Sequence, residues 1–185
     1  MIKKLVLIIF ITPLIIFSCN QQESGKSARN KGKVSYVIGI NLPLSGNGSY
    51  FAEEVRKGLD LAFSHAMRDT ARMQLEVLYE DNKLNPRDAV SITRKFVDVD
   101  KVDLIISGYT PVIQAIIDLV DNMEVPMLVT LSSTESIAAP YRWVFRDFEL
   151  ESVNMPLLAA YAYTEMGLGK GTYLVVNDDM GRDAV

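Results

Sequence analysis

The residues best suited to chemistry in this chain are hydroxyl and amide side chains in three short segments. These segments span residues 43–50, 108–111 and 130–136, and each follows a run of apolar, β-branched residues that favours a strand. They contain the following candidates: Ser45, Asn47, Ser49, Tyr50, Tyr109, Thr110, Thr130, Ser132, Ser133 and Thr134. Hydroxyls and backbone amides without a catalytic pair suit a small polar or zwitterionic ligand that is held by neutral hydrogen bonds.

Each of these candidates also has a purely structural interpretation. Thr110 and Ser49 can act as helix caps, and capping is compatible with a second role in binding. Residues 132–134 can form an ordinary polar loop, and Tyr50 and Tyr109 can pack at the rim of the loops. The residues alone leave these alternatives open.

Residues that suit catalysis or metal binding are sparse. His65 is the only histidine and Cys19 the only cysteine, so common zinc sites are excluded and a Ser-His-Asp triad would depend on one distant histidine. In the helical pattern around it His65 falls among polar residues, which predicts a surface position. Adjacent acidic pairs are interpreted as solvated charge: Glu53-Glu54, Glu80-Asp81 and Asp178-Asp179. We therefore expect no enzyme, no metal and no other cofactor.

Nucleotide and calcium motifs are also incomplete. Residues 45–48 contain Gly-x-Gly, but Phe51 stands where a dinucleotide fingerprint needs its third glycine, and the chain has no P-loop motif. Asp81 and Asp88 lack the acidic spacing of a calcium loop.

The elements that must position the candidates alternate between strand and helix patterns from Val34 onward. Predicted strands cover residues 34–42, 74–79, 102–107, 125–131, 143–146 and 172–176. Predicted helices cover residues 50–68, 86–97, 111–122 and 151–166. This βαβα order predicts a doubly wound, mainly parallel α/β sheet with right-handed crossovers. Ligands of such sheets bind outside the carboxyl ends of the strands, where the three segments are expected.

Residues 1–18 have the layout of a secretory signal peptide, because a basic start precedes an apolar run that is too short to span a bilayer. The run ends at Cys19, and residues 16–19 resemble the lipobox of bacterial lipoproteins. That resemblance implies a lipid anchor at Cys19, through which the chain would be attached to a membrane. Ordinary cleavage that leaves a spare thiol and an uncleaved anchor are the alternatives. With one cysteine, no intrachain disulfide can form.

Residues 19–33 are polar and contain glycine and serine, which predicts a flexible tether. Basic residues in the tether can contact anionic headgroups, or the segment can be a plain soluble linker. Without residues 1–18 the Lys+Arg count falls from 19 to 17 while Asp+Glu stays at 23, so the net charge changes from −4 to −6. This acidic balance argues against nucleic acid as a partner.

Four segments, in this order along the chain, carry a family resemblance. They are residues 38–62 (IGINLPLSGNGSYFAEEVRKGLDLA), 75–97 (LEVLYEDNKLNPRDAVSITRKFV), 102–138 (VDLIISGYTPVIQAIIDLVDNMEVPMLVTLSSTESIA) and 141–183 (YRWVFRDFELESVNMPLLAAYAYTEMGLGKGTYLVVNDDMGRD). Together they resemble branched-chain amino-acid-binding lipoproteins and their relatives. That family has the type I periplasmic-binding-protein fold and delivers solutes to ABC importers.

The resemblance implies two α/β lobes, joined by three hinge strands, that hold the ligand between them. It assigns the α-carboxylate and α-ammonium groups of an amino acid to the loops at residues 108–110 and 132–134. It also adds Met180, near the position where the family usually has the aromatic residue of an Asp-Asp-x-Tyr-Gly turn. The predicted ligand-binding residues are therefore Ser45, Tyr50, Tyr109, Thr110, Ser132, Ser133, Thr134 and Met180.

The predicted organisation is a lipoprotein signal peptide (1–18), a flexible tether (19–33), a first α/β lobe (34–146) and the incomplete start of a second lobe (147–185). With one lobe nearly complete, we expect marginal stability and weak binding of free amino acids. The predicted function is an extracytoplasmic, membrane-anchored solute-binding component of an ABC importer, with permease subunits as partners. The alternative is a ligand-sensing or regulatory lipoprotein on the same fold that signals to a kinase, receptor or cell-wall enzyme.

Overall fold

The computed structural model describes residues 34–69, 73–137, 140–177 and 181–182. The predictions for the signal peptide, the tether, Cys19 and Met180 lie outside these residues.

Five parallel strands form one sheet in the order β2-β1-β3-β4-β5. Their bounds are β1 (Val34–Leu42), β2 (Met73–Asp81), β3 (Leu104–Gly108), β4 (Met127–Thr130) and β5 (Val144–Arg146). Because β1 pairs with both β2 and β3, the strand order reverses between β1 and β3. The predicted doubly wound α/β sheet is confirmed, and its switch point lies at the carboxyl ends of β1 and β3.

The described residues form four helices, and the first three pack on the two faces of this sheet. Their bounds are α1 (Ser49–Asp69), α2 (Pro86–Lys95), α3 (Thr110–Asn122) and α4 (Glu151–Thr164). A 3-10 turn at Gly46–Gly48 precedes α1, and α2 continues as a π-helical turn over Phe96–Asp100. The start of α2 follows the sequence closely, since the Asn85 side chain accepts a hydrogen bond from the Arg87 amide at 2.9 Å and Pro86 takes the first helical position.

Two apolar clusters fill the layers on either side of the sheet. Neighbouring residues of β3 face opposite ways, so that Ile105 joins the cluster of α2 and α3 while Ile106 joins the cluster of α1. In the cluster of α2 and α3, the Phe96 ring packs against Gly39 of β1. A β-carbon at Gly39 would lie 2.5 Å from the Phe96 ring, so this strand position requires glycine.

The carboxyl-terminal part of the described chain differs from the sequence prediction. Residues 172–176, predicted as a strand, have no regular secondary structure, since the described residues place no strand beside them. Helix α4 buries none of its residues, and Leu157, Tyr161 and Leu174 are exposed. The predicted surface position of His65 agrees with the structure, where it is exposed on α1.

Candidate ligand site

The three predicted segments meet at one edge of the sheet. The pairing of Asn41 with Ser107 and of Gly108 with Thr130 brings the carboxyl ends of β1, β3 and β4 side by side. The loop after β1 (residues 43–48, the β1–α1 loop), the start of α3 and the loop after β4 (residues 131–137, the β4 loop) therefore border the same region.

Thr110, Ser132 and Thr134 form a hydroxyl cluster at this edge. The Thr110 hydroxyl lies 2.9 Å from the Ser132 hydroxyl and 3.5 Å from that of Thr134. Ser132 is 0% exposed, Thr134 1% and Thr110 6%, so the cluster meets solvent mainly at Thr110. Hydroxyls both donate and accept hydrogen bonds, so the cluster can reorient its protons toward an anionic or a cationic group.

The structure corrects the expected capping role of Thr110. Helix α3 begins at Thr110 itself, its N-cap is Tyr109, and no side chain caps the helix. The Thr110 hydroxyl reaches sideways to the β4 loop instead of back to the helix backbone. Because the first turn of α3 also carries no acidic residue, the positive end of the helix dipole is directed to the cluster without compensation from its own side chains.

Tyr109 links the two sides of the site. Its φ of 68° is in the left-handed region, which is uncommon for a residue with a side chain. The Tyr109 hydroxyl donates to the Gly48 carbonyl at 2.6 Å, and burial raises the pKa of the phenol, so it stays neutral. A β-carbon at Gly48 would lie 2.8 Å from the Pro43 side chain, so the close approach of this loop requires glycine.

Ser45 and Tyr50 lie on the exposed side of the site. The Ser45 hydroxyl donates to an Asp81 carboxylate oxygen at 2.5 Å, while the Leu44 and Lys83 amides donate to the other oxygen at 2.9 Å. Tyr50 is 72% exposed and its ring meets Phe51 edge to face. Ser45 thus fastens the β1–α1 loop to the end of β2, and Tyr50 stands free for a contact.

Ser133 is separated from the cluster, although its two neighbours belong to it. Its hydroxyl donates to the Glu151 carboxylate at 3.1 Å, at the start of α4. Arg146 holds the same loop by donating to the Thr134 carbonyl at 2.9 Å and the Ile137 carbonyl at 3.3 Å. The structure therefore brings together three of the eight predicted ligand residues, while Met180 lies outside the described residues.

A family model described as periplasmic binding protein matches residues 35–185, which is most of the chain. The chain belongs to the periplasmic binding protein family. This confirms the resemblance drawn from the four sequence segments, and the parallel sheet confirms the fold that goes with it.

Relatives of this periplasmic binding protein include proteins with different stated ligands. A Brucella abortus protein called Leu/Ile/Val-binding protein homolog 2 is 27% identical over 75 residues, which is 40% of this chain. A solute-binding protein from Rhodopseudomonas palustris, solved with 3,4-dihydroxybenzoic acid, superimposes with a TM-score of 0.74 at 20% identity over 81% of this chain. A branched-chain amino acid transporter substrate-binding protein from Streptococcus pneumoniae, solved with isoleucine, gives 0.66 at 20% identity over 72%.

These matches cover only part of each relative. They span 20% of the Brucella protein, 41% of the Rhodopseudomonas chain and 39% of the Streptococcus chain. This chain therefore spans less than half the length of these relatives.

A buried amide network beneath the site was missed by the sequence analysis. Asn41 donates to the Ala89 carbonyl at 3.0 Å and to the Thr93 hydroxyl at 3.2 Å, and accepts from Asn82 at 2.9 Å. Ser107 donates to the Asn41 carbonyl at 2.7 Å. Two signals pointed to this network: a polar residue in the apolar run of β1, and Thr93 in the apolar stripe of α2.

Other kinds of site find no support in the described part of the chain. No group of three metal-ligating side chains lies close enough there to hold an ion. None of the helices seen there is both long and apolar enough to cross a membrane. A cavity of about 360 Å³ lies between α4 and residues 168–173, away from the strand ends.

Proposed function

We propose that this protein is the extracytoplasmic solute-binding component of an ABC importer, and that its hydroxyl cluster binds the carboxylate of a small organic ligand. The observation that carries the proposal is the convergence of Thr110, Ser132 and Thr134 at the amino end of α3. Helix amino ends favour anions, and hydrogen bonds in a desolvated site are stronger than in water.

The ligands with which the two relatives were solved support a carboxylate rather than one particular solute. Isoleucine and 3,4-dihydroxybenzoic acid differ in size, shape and charge, but both carry a carboxyl group. An amino acid would bring its ammonium group as well, and an aromatic acid would bring a ring. Tyr50, at the exposed side of the site, is suited to contact the rest of either ligand.

The proposal includes the cellular setting. A lipid anchor at Cys19, followed by the tether at residues 19–33, would hold the binding domain close to permease subunits in the membrane. Metabolic labelling with a radioactive fatty acid tests the anchor. Cys19→Ala is expected to lose the label. A Cys19→Ala variant that still carries the label would contradict a lipid anchor at Cys19.

Ligand binding is tested by titrating the ¹⁵N-labelled chain with isoleucine and with 3,4-dihydroxybenzoate while amide chemical shifts are recorded. Since the described residues build one wall of the site, we expect affinities in the millimolar range. The shifts should concentrate at Thr110 and residues 132–134. The matched probes 2-methylbutylamine and catechol, which lack the carboxyl group, should leave these amides unchanged.

A variant pair separates the cluster from general effects. Thr110→Val keeps the side-chain shape and removes the hydroxyl, so the dissociation constant should rise about tenfold. Thr164→Val is the control, because the Thr164 hydroxyl donates to the Ala160 carbonyl of its own helix and lies outside the cluster. Equal responses to isoleucine and 2-methylbutylamine would refute carboxylate recognition.

A further inference from the structure

The β4 loop carries two of the three cluster hydroxyls, and the start of α4 holds this loop from its other side. Ser132 and Thr134 face Thr110, whereas Ser133 between them bonds to Glu151. The Ser133 hydroxyl is thus directed to α4, while the hydroxyls of its two neighbours are directed to α3. Because Ser133 is covalently joined to Ser132 and Thr134, its contact with Glu151 also restrains the backbone of both cluster residues.

The contact between Ser133 and Glu151 has two parts. The Ser133 hydroxyl donates to the Glu151 carboxylate at 3.1 Å, and the Glu151 amide donates to the Ser133 carbonyl in a longer contact of 3.5 Å. The N-cap of α4 is Leu150, which supplies no side-chain acceptor. The Ser133 carbonyl therefore accepts a hydrogen bond from a backbone amide in the first turn of α4, although Ser133 lies outside the helix. The Glu151 carboxylate lies in the same turn, where the helix dipole favours negative charge.

Two neighbouring contacts keep the same segments together. Ser152, the next residue of α4, donates a hydrogen bond to the Glu135 carboxylate. Arg146 donates to two carbonyls of the loop, at Thr134 and Ile137. The segment from β5 to the start of α4 thus contacts the β4 loop at several positions. Among these contacts, the Glu151 side chain is the one that bonds to Ser133, the residue between the two cluster residues Ser132 and Thr134.

We propose that Glu151 is a positioning residue for the ligand site: through Ser133 it holds the β4 loop in the conformation that presents Ser132 and Thr134 to Thr110. Glu151 itself belongs to α4 and acts on the cluster only through this loop. This inference rests on the proposed function, because the proposed function supplies the ligand that the positioned hydroxyls bind.

Amide hydrogen exchange in the purified chain tests the positioning without any ligand. The readout is the amide of Ile137, which donates to the Thr134 carbonyl at 3.2 Å and closes the loop. Glu151→Ala and Ser133→Ala should each accelerate its exchange about tenfold, while the amides of β1 and β3 keep their rates. The double variant should match either single variant, because both remove the same bond.

Two further variants separate positioning from a change in charge. Glu151→Gln keeps an acceptor oxygen for Ser133 and should restore most of the protection. Glu149→Ala removes an exposed acidic residue two positions earlier and should leave the Ile137 amide unchanged. Unchanged exchange in Glu151→Ala would overturn the proposal, and so would additive effects in the double variant.

The ligand titration separates this inference from the proposed function. If both hold, Glu151→Ala weakens the response of the Thr110 amide to isoleucine or 3,4-dihydroxybenzoate, and Glu151→Gln recovers it. If the wild-type chain responds to neither probe while exchange follows the expected pattern, the proposed function fails for these ligands and the positioning role stands. If the probes bind normally to Glu151→Ala, Glu151 has no positioning role.

Discussion

The two sides of the candidate site are built on different physical principles. The hydroxyl cluster is neutral and buried, and its members bond to one another across two elements. The β1–α1 loop is exposed at residues 45–47, and its exposed part is fastened by the carboxylate of Asp81. Burial makes the first side rigid and insensitive to pH, whereas the second depends on one ionisable group at the protein surface.

The two sides share a base and a bridge. Asn41 directly precedes the end of β1 and also accepts, through its carbonyl, the hydroxyl of Ser107 near the end of β3. Tyr109 crosses above it to Gly48. A ligand that contacts both sides would therefore lie above the buried hydrogen bonds of Asn41, with the more exposed β1–α1 loop on one side of it.

The largest effect is expected at this shared base. Asn41→Leu would remove three side-chain hydrogen bonds at once and leave the buried Asn82 amide without the acceptor that Asn41 supplies, while Ser107 keeps its bond to the backbone carbonyl of residue 41. We expect a loss of about 3 kcal/mol in the free energy of unfolding, measured by urea denaturation. Asn122→Leu, at an exposed position at the end of α3, is the control. A wild-type midpoint for Asn41→Leu would show that the network is dispensable.

A smaller loss is expected within the cluster. Ser132→Ala removes the partner of Thr110 at a position that is 0% exposed, so the free energy of unfolding should fall by about 1 to 2 kcal/mol. The loss should be the same at pH 7 and pH 4, because the hydroxyls do not ionise there. Ser91→Ala, an exposed serine on α2, is the matched control. A loss that varies with pH would contradict a neutral cluster.

How much the sequence predicts depends on whether a feature is local. The bounds of β1 follow from a run rich in strand-forming residues, and the start of α2 follows from the Asn85-Pro86 cap; both agree with the structure. Residues 172–176 have the composition of a strand, but a strand also needs a neighbour, which composition does not supply. The meeting of three strand ends was predictable, because the sheet is parallel.

The side-chain partners within the site were not predictable in the same way. A threonine before a proline suits a helix cap, and only the position of the β4 loop reveals that Thr110 bonds to Ser132 instead. Ser133 resembles its neighbours in sequence, yet the backbone turns it to Glu151. Such choices between local and distant hydrogen bonds are decided by packing.

The exposed side should respond to pH through Asp81. Partial burial alone raises the pKa of Asp81, but the hydrogen bonds from the Ser45 side chain and from backbone amides outweigh it and hold the pKa below its ordinary value of 3.8. A depressed pKa in the folded state stabilises the fold above pH 3.8, and this contribution is lost as the pH falls through the folded-state pKa.

Comparing Asp81→Asn with the wild type tests this dependence. At pH 7 the variant should be less stable by up to about 1 kcal/mol, since the carboxylate is only partly buried and solvent screens its interactions. The difference should shrink toward pH 3 in urea denaturation curves. Asp98→Asn, at an exposed position in the π-helical turn, should follow the wild type at every pH. A difference that grows on acidification would reverse the assigned sign.

The smallest effect on stability is expected at Tyr50. A substitution there tests whether the exposed side of the site contributes to ligand binding in addition to the buried hydroxyl cluster. Tyr50→Ala removes a ring that is 72% exposed and touches only Phe51 among the aromatic rings described, so the free energy of unfolding should change by less than about 0.5 kcal/mol. If the ring contacts the ligand, the same change weakens the response of the Thr110 amide to 3,4-dihydroxybenzoate more than to isoleucine, because an aromatic ligand gains ring contacts. Tyr163→Ala, which removes an equally exposed ring from α4, is the control. An unchanged titration in Tyr50→Ala would confine ligand recognition to the buried hydroxyls.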